Sequence, residues 1–323
     1  MDAPAPHPQA LRYAERDHAH SVIQKILVVV DPTAREQPGI EKATRIAASC
    51  RSSLELYICD VEQDIPESWA GEPRSAEYRE LMRQRHLAEL QLLAEPLLAR
   101  GLDVSTVCEW HAPLEEGIGH HVIRTRPDLV VKETHWHAAM PRVTLTRTDW
   151  NLIRQIPAPL LLVRRTPWPE HPRIAAGVDP CHPADRPAVL DEAIVDQGRS
   201  IADALAGDLD LFHVLQTPPH LPGDHVSAQH TAAVHSHARS AVQQLAHRAA
   251  CGVRFREGGT AAGIVQLVQE CGPSVLVMGA VARPRWVHSA ASGTAAQILE
   301  RINCDLLIVK PPGFISPLLV TDD

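Results

Sequence analysis

The chain has 323 residues, a length that predicts two domains, each large enough to bury its own core. Its 31 Lys and Arg against 39 Asp and Glu give a net charge of −8, which argues against binding to nucleic acid or to an anionic membrane. No apolar run reaches the ~18 residues of a membrane span, and the polar, Pro-rich start predicts no secretory signal.

The first half of the chain contains five short apolar runs separated by segments of helical composition. Because the runs are β-branched and nearly continuous, they predict strands that helices cover on both faces. The helical pattern over residues 77–99 is interrupted by Pro96, which predicts a kink or an end of the helix there. The predicted strands lie near residues 25–31, 53–59, 103–109, 128–133 and 159–164.

The second half repeats this order of predicted elements. Strands that alternate with helices indicate a parallel, doubly wound sheet with right-handed crossovers. A Pro-rich segment separates the halves, so we expect an N-terminal domain over 1–165, a linker over 166–172 and a C-terminal domain over 173–323. The strands of the second half are predicted near residues 173–179, 208–214, 252–257, 274–279 and 305–310.

Three matches show that the halves are copies of one domain. KILVVVDP at 25–32 is repeated as RIAAGVDP at 173–180, an offset of 148 residues. PDLVVK at 127–132 matches PSVLVM at 273–278, and 156–164 matches 302–310, both at an offset of 146 residues. Matches in the same order at nearly one offset are typical of an internal duplication.

The carboxyl ends of the strands are where a parallel sheet binds ligands. In the second copy the fourth strand ends at Gly279, and small residues then lead to a helix that opens with a Ser/Gly/Thr turn, which suits phosphate binding. With VDP at 178–180, FHV at 212–214 and CDLLIVK at 304–310, this segment resembles the universal stress protein family. The family's nucleotide pattern is Gly, two residues, Gly, nine residues, Gly, then Ser or Thr. Gly279 matches it, whereas Ala282 and Ser292 replace the second and third glycines.

The resemblance covers nearly the whole chain. The sequence is similar to the tandem type of the family in three short segments, TDW at 148–150, PWPE at 167–170 and CDLL at 304–307. It implies two tandem Rossmann-like domains, each a five-stranded parallel sheet flanked by helices, that form a pseudo-dimer. It also implies a cytoplasmic stress-response protein. Carried over to this chain, the family's site places Asp179 at the ribose and base and Val214 against the adenine. Around the phosphates it places Gly279, Ser292, Gly293 and Thr294.

The first copy lacks this pattern. Glu133 stands where the second copy has Gly279, and Thr146, Arg147 and Thr148 replace the Ser/Gly/Thr turn. A carboxylate at this position repels a triphosphate, so we expect the first copy not to bind nucleotide.

Histidine is unusually frequent, with 19 residues. We expect most to be surface residues, because the spacings along the long second helix of the second copy do not align on one face. His135 and His137 follow a strand, and alternation on extended chain places both imidazoles on one side. With Glu133 or Asp31 they could ligate zinc, or they could belong to a polar loop near the cleft. The histidines in or before the long second helix of the second copy are His225, His230, His235, His237 and His247.

Three functions stay open. The first is a non-enzymatic stress protein whose C-terminal cleft binds ATP, another adenine nucleotide or another small molecule. The second is a weak ATPase of the same fold, and the third is a scaffold for an apolar small molecule or a protein partner. No catalytic residue is assigned. The seven dispersed cysteines indicate reduced thiols in the cytoplasm, and a homodimer could form through the last strand, 305–310.

Overall fold

The computed structural model describes residues 23–60, 73–134, 145–181, 189–216, 228–280, 297–298 and 301–319. The N-terminal domain contains five strands and four helices within these ranges. In chain order they are β1 (Lys25–Val29), α1 (Pro38–Cys50), β2 (Ser53–Asp60), α2 (Pro73–Ala99), β3 (Val104–Trp110), α3 (Leu114–Thr125), β4 (Leu129–Glu133), α4 (Arg147–Gln155) and β5 (Leu160–Val163).

The C-terminal domain repeats the five strands, and three of its helices lie within the described ranges. Its elements are β6 (Arg173–Gly177), α5 (Val189–Ala204), β7 (Asp208–Leu215), α6 (Ala228–Ala249), β8 (Gly252–Glu257), α7 (Thr260–Cys271), β9 (Val275–Gly279) and β10 (Asp305–Val309). A short 3-10 helix, Pro317–Leu319, follows near the end of the chain.

All ten strands join in one sheet with the order β3-β2-β1-β4-β5-β10-β9-β6-β7-β8. Neighbours within each domain are parallel, and the two domains meet where β5 pairs antiparallel with β10. The predicted fold class, two five-stranded parallel sheets in a pseudo-dimer, is thereby confirmed. Because β10 is paired on both sides, the expectation that residues 305–310 could pair with a second chain is wrong. The fusion of two domains uses that edge internally.

Helices cover both faces of the sheet, as the continuous apolar strands predict. One core cluster packs α1, α2, α5 and α6 against one face, and a second packs α3, α4 and α7 against the other. Alternate strand residues serve the two clusters, since Ile26 and Val28 belong to the first and Leu27 to the second. All three are buried, which is why the strands lack the alternation of a half-exposed sheet.

Helix α2 contains Pro96, at which the sequence predicts a kink or an end of the helix. The helix continues to Ala99, so the prediction that it could end at Pro96 is wrong. A proline this close to the last residue removes one backbone hydrogen bond from the final turn only. Leu97, directly after the proline, is buried in the first core cluster, and this burial favours keeping the last turn helical.

A buried ion pair connects the two domains at the β5–β10 junction. Lys42 Nζ on α1 lies 2.6 Å from Asp305 Oδ2 on β10. The same carboxylate accepts hydrogen bonds from the Trp168 indole of the linker and from the Arg164 backbone amide, both at 2.8 Å. Burial raises the pKa of Asp305 despite the nearby Lys42, and burial lowers the pKa of Lys42. The segments 167–170 and 304–307, which carry the resemblance to the tandem type of the family, are therefore in contact.

Histidine placement follows the surface expectation only in part. On α6, His230, His237 and His247 are exposed and His235 is half-buried, whereas His225 lies outside the described residues. Three histidines outside this helix are buried, with exposed fractions of 2–5%. They are His86, His121 and His213. His86 lies 2.8 Å from Asp60, and His121 contacts both Glu55 and Glu109.

Candidate functional site

The carboxyl edge of the C-terminal domain brings together the three predicted site residues that the structure describes. Strand β6 lies between β9 and β7, and Gly177 pairs with both Phe212 and Met278. Asp179, Val214 and Gly279 follow these paired residues by one or two positions. They therefore emerge at nearly the same level on three adjacent strands, the position at which parallel sheets bind ligands.

Asp179 begins the turn that leaves β6. Its backbone amide donates a hydrogen bond of 2.9 Å to Asp191 Oδ1, in the first turn of α5. Asp191 is only 4% exposed, so its carboxylate anchors this turn to the helix N-terminus, where negative charge is favoured. Sequence reasoning missed Asp191. The available signal was an acidic residue in the first turn of the helix that follows the strand.

His213 fixes the neighbouring strand end. Its Nδ1 lies 2.9 Å from the Val178 carbonyl oxygen, which can only accept a hydrogen bond. Nδ1 therefore carries the proton, and in the neutral ring Nε2 is the acceptor. The ring also contacts the Phe255 ring edge-on at a centroid distance of 6.2 Å. His213 thus ties β7 to the residue before Asp179.

Val214 is committed to the core. It is 4% exposed, and a Cβ on Gly263 of α7 would lie 2.7 Å from Val214 Cγ2. The glycine lets α7 pack directly on this valine. The 4% exposure includes the backbone, and Val214 pairs with Arg256 within the sheet, so its burial gives no support to the predicted contact with an adenine.

Gly279 is glycine because α5 packs against it. A Cβ at this position would lie 2.8 Å from Leu190 Cδ2 and 2.9 Å from Ile194 Cδ1. In the first copy the small and the large side chain are exchanged. Gly39 occupies the position of Ile194, and Glu133 occupies the position of Gly279. The matching left-handed caps at the ends of α1 and α5 support this helix alignment. The two equivalent strand ends therefore differ in side-chain size and charge.

The equivalent edge of the N-terminal domain carries two carboxylates. Glu133 Oε1 lies 3.4 Å from Arg165 Nε, and the Glu133 side chain is 13% exposed. Asp31 Oδ1 accepts hydrogen bonds from the Thr33 amide at 2.8 Å and from its hydroxyl at 2.7 Å. At the end of β4 the carboxylate of Glu133 thus lies beside the guanidinium of Arg165.

Several predicted residues lie outside the described part of the chain: Ser292, Gly293 and Thr294 of the phosphate turn, and His135 and His137 of the zinc hypothesis. Among the residues that the structure describes, no group of three or more His, Cys, Asp or Glu is arranged to hold a metal ion. The proposed carboxylate ligands Asp31 and Glu133 contact Thr33 and Arg165 instead. The zinc prediction thus gains no support.

The comparisons with known proteins agree with this architecture. The chain is 25% identical to Universal stress protein E of Salmonella typhi over 322 residues, which cover 94% of this chain and 99% of that protein. The Escherichia coli K12 protein of the same name is 25% identical over 320 residues, with the same coverage of both chains.

Solved structures share the fold. Protein PA1789 from Pseudomonas aeruginosa PAO1 aligns with a TM-score of 0.72 at 24% identity, covering 94% of this chain and 97% of that one. A universal stress protein from Archaeoglobus fulgidus DSM 4304 aligns with a TM-score of 0.62 at 11% identity, covering 88% and 98%. None of the described helices is both long and apolar enough to cross a membrane. Residues 23–164 and 171–310 each match the Universal stress protein family, so the chain belongs to this family and carries two copies of its domain.

Proposed function

We propose that this protein is a non-enzymatic stress-response protein. It binds an adenine nucleotide at the carboxyl edge of β6, β7 and β9. The observation that carries the proposal is the placement of Asp179 and Gly279 on adjacent strands at one level, with the Asp179 turn anchored by Asp191. A carboxylate accepts hydrogen bonds from ribose hydroxyls, and a strand end without a side chain lets phosphate approach the backbone.

In this proposal Asp179 binds the ribose and Val214 lies against the adenine. Gly279, Ser292, Gly293 and Thr294 surround the phosphates. We expect the N-terminal domain to bind no nucleotide, because a carboxylate, Glu133, replaces Gly279 at the end of β4 and takes the nearby Arg165 as its own ion-pair partner. The chain thus has one nucleotide cleft and one modified cleft of the same fold.

Calorimetric titration of ATP tests the proposal, with Asp179→Ala as the variant and Asp31→Ala as the matched control. Hydrogen bonds to a charged group contribute roughly 1.5–3 kcal/mol, so we expect Asp179→Ala to weaken binding about 10- to 150-fold. Asp31→Ala, which changes the equivalent residue of the other domain, leaves the affinity unchanged. Equal losses in both variants, or none in either, would remove Asp179 from the site.

A second candidate is a scaffold that binds an apolar small molecule or a protein partner without nucleotide. It is favoured by the contacts of Gly279, because Leu190 and Ile194 account for a glycine there without any phosphate. Wild-type protein that fails to bind ATP, ADP or AMP would support it. Mass spectrometry of small molecules released from the purified protein then identifies the ligand class.

We also propose a cytoplasmic location and the domain division given above. All seven cysteines are free, which supports a reducing compartment. The gap between the two family matches, after residue 164 and before residue 171, supports a linker over 166–172. Limited proteolysis that cuts first within 166–172 would support this division.

A further inference from the structure

The segment 311–319, here called the strap, follows β10 and is held close to the protein. The Phe314 amide donates to the Pro311 carbonyl at 3.1 Å, and the Leu319 amide donates to the Ser316 carbonyl at 3.1 Å. Ser316 and Leu318 are 1% and 6% exposed. The strap is therefore packed against the protein along its second half.

The surface that the strap covers belongs to the N-terminal domain. Leu318 lies over Gly119 of α3, where a Cβ would be 2.3 Å from Leu318 Cδ1. The same Cβ would lie 4.0 Å from Ile156 Cγ2, directly after α4. A glycine in the interior of a helix costs roughly 0.5–1 kcal/mol relative to alanine, so its presence is explained by the space that Leu318 needs. The C-terminal domain thus extends a clasp onto its partner domain.

Lys310 stands at the root of the strap and is buried. Its Nζ donates to the Ile153 carbonyl of α4 and lies 4.5 Å from the centre of the Phe314 ring. One carbonyl and one ring face replace only part of the water shell of an ammonium group. The buried site as a whole therefore disfavours the protonated form of Lys310, and Phe314 is the strap residue that contacts the amine.

Lys310 also differs from the other lysines. The chain has four, and Lys25, Lys42 and Lys132 each pair with a carboxylate, at 2.6–2.8 Å. For Lys310, no carboxylate or second cation faces it from α4, the strands or the strap within the described residues, and burial alone lowers its pKa to about 7. Within the part of the chain that the structure describes, Lys310 is therefore the lysine that no carboxylate compensates.

We propose that the strap is a proton-sensitive clasp between the domains, which closes over α3 and α4 while Lys310 is neutral and is released when Lys310 takes up a proton. In the open state the lysine is in water, with a pKa of about 10.4. The closed state binds fewer protons between that value and the lower pKa of the buried amine. Closure is therefore weakest below about pH 7 and strengthens as the pH rises above it. Between pH 8 and pH 6 the closing equilibrium constant falls about tenfold.

Amide hydrogen exchange of the full chain tests the clasp, measured by mass spectrometry on peptides that cover the strap. After correction for intrinsic rates, we expect strap protection in the wild type to fall about tenfold from pH 8 to pH 6. Lys310→Met, which keeps the length of the side chain and removes the charge, shows equal protection at both values. Leu318→Ala loosens the strap at both values and keeps the tenfold pH effect.

Peptides from β1 and β9 serve as internal references, because an intact fold keeps their protection constant in every variant. The proposal is overturned if strap protection in the wild type is the same at pH 6 and pH 8, or if the strap is unprotected at pH 8. It is also overturned if Lys310→Met retains the pH effect, since another group would then be responsible.

Discussion

Replacing Lys42 with Met tests whether the buried ion pair at the domain junction stabilises the tandem arrangement. The side chains of Lys42 and Asp305 are 3% and 2% exposed, and their charged atoms lie 2.6 Å apart. Removing the cation leaves a buried carboxylate whose remaining partners are the Trp168 indole and the Arg164 amide. Breaking one side of a buried pair typically costs about 3–5 kcal/mol, which is the loss expected in the free energy of unfolding.

The loss also depends on pH. Burial raises the pKa of Asp305 in the wild type, and without Lys42 this pKa rises further. Between the pKa of the unfolded chain and the raised folded value, the folded state binds more protons, so stability falls as the pH rises. We therefore expect Lys42→Met to be less destabilised at pH 5 than at pH 8, because protonation of Asp305 removes the uncompensated charge.

Urea unfolding followed by circular dichroism at pH 8 and pH 5 measures both effects. Arg85→Met is the matched control, because Arg85 pairs with Glu89 at 3.1 Å on the surface, with side chains 67% and 36% exposed. Such pairs contribute about 0.5 kcal/mol or less. The reasoning is refuted if Lys42→Met costs no more than Arg85→Met, or if its cost is the same at both pH values.

Two further substitutions test local energetics. Burial alone would raise the pKa of Glu55, but hydrogen bonds from His121 and Lys25 outweigh it and hold the pKa at about 2. The charged form thus contributes about 3 kcal/mol at pH 7, lost as the pH falls from about 4.5 to about 2. In urea titrations we expect Glu55→Gln to show most of that loss at pH 7 and less than half of it at pH 3; equal losses would contradict this. Gly279→Ala places a methyl group 2.8 Å from Leu190 Cδ2, so thermal unfolding should show a cost of about 1–3 kcal/mol, reduced by adding Leu190→Val. An unchanged melting temperature would contradict the packing account of this glycine.

The fold was predictable because its signals are local and occur twice. Most strands are short apolar runs with buried residues on both faces, whereas the edge strands β3 and β8 are only partly buried, and the two copies repeat these runs at nearly one offset. Once the copies are aligned, Glu133 and Gly279 occupy the same position, and the difference between the clefts follows from side-chain charge and size. The placement of Asp179 beside Gly279 followed from the rule that parallel strands end at one edge.

The interactions that complete the candidate site were not predictable in the same way. Asp191 accepts the hydrogen bond of the Asp179 amide from 12 residues further along the chain. His213 on β7 contacts Val178, which follows the adjacent strand β6 and lies 35 residues earlier in the sequence. Neither pair has a spacing that marks it. In the sequence His121 is similarly a polar residue on a helix with no distinguishing pattern. Its partners Glu55 and Glu109 come from β2 and β3, which lie beside it only in the folded structure.

The sequence by itself determined the element order, the duplication and the different residues at the two strand ends, because strand burial and repeat spacing are properties of contiguous residues. Only the tertiary structure decided how the copies combine, through the antiparallel β5–β10 pair, the Lys42–Asp305 contact and the strap over Gly119. These interactions join residues more than 140 positions apart, and each depends on desolvation and close packing that exist only after both domains have folded. The same holds for Lys310, whose charge state is set by the domain that it reaches rather than by its neighbours in the chain.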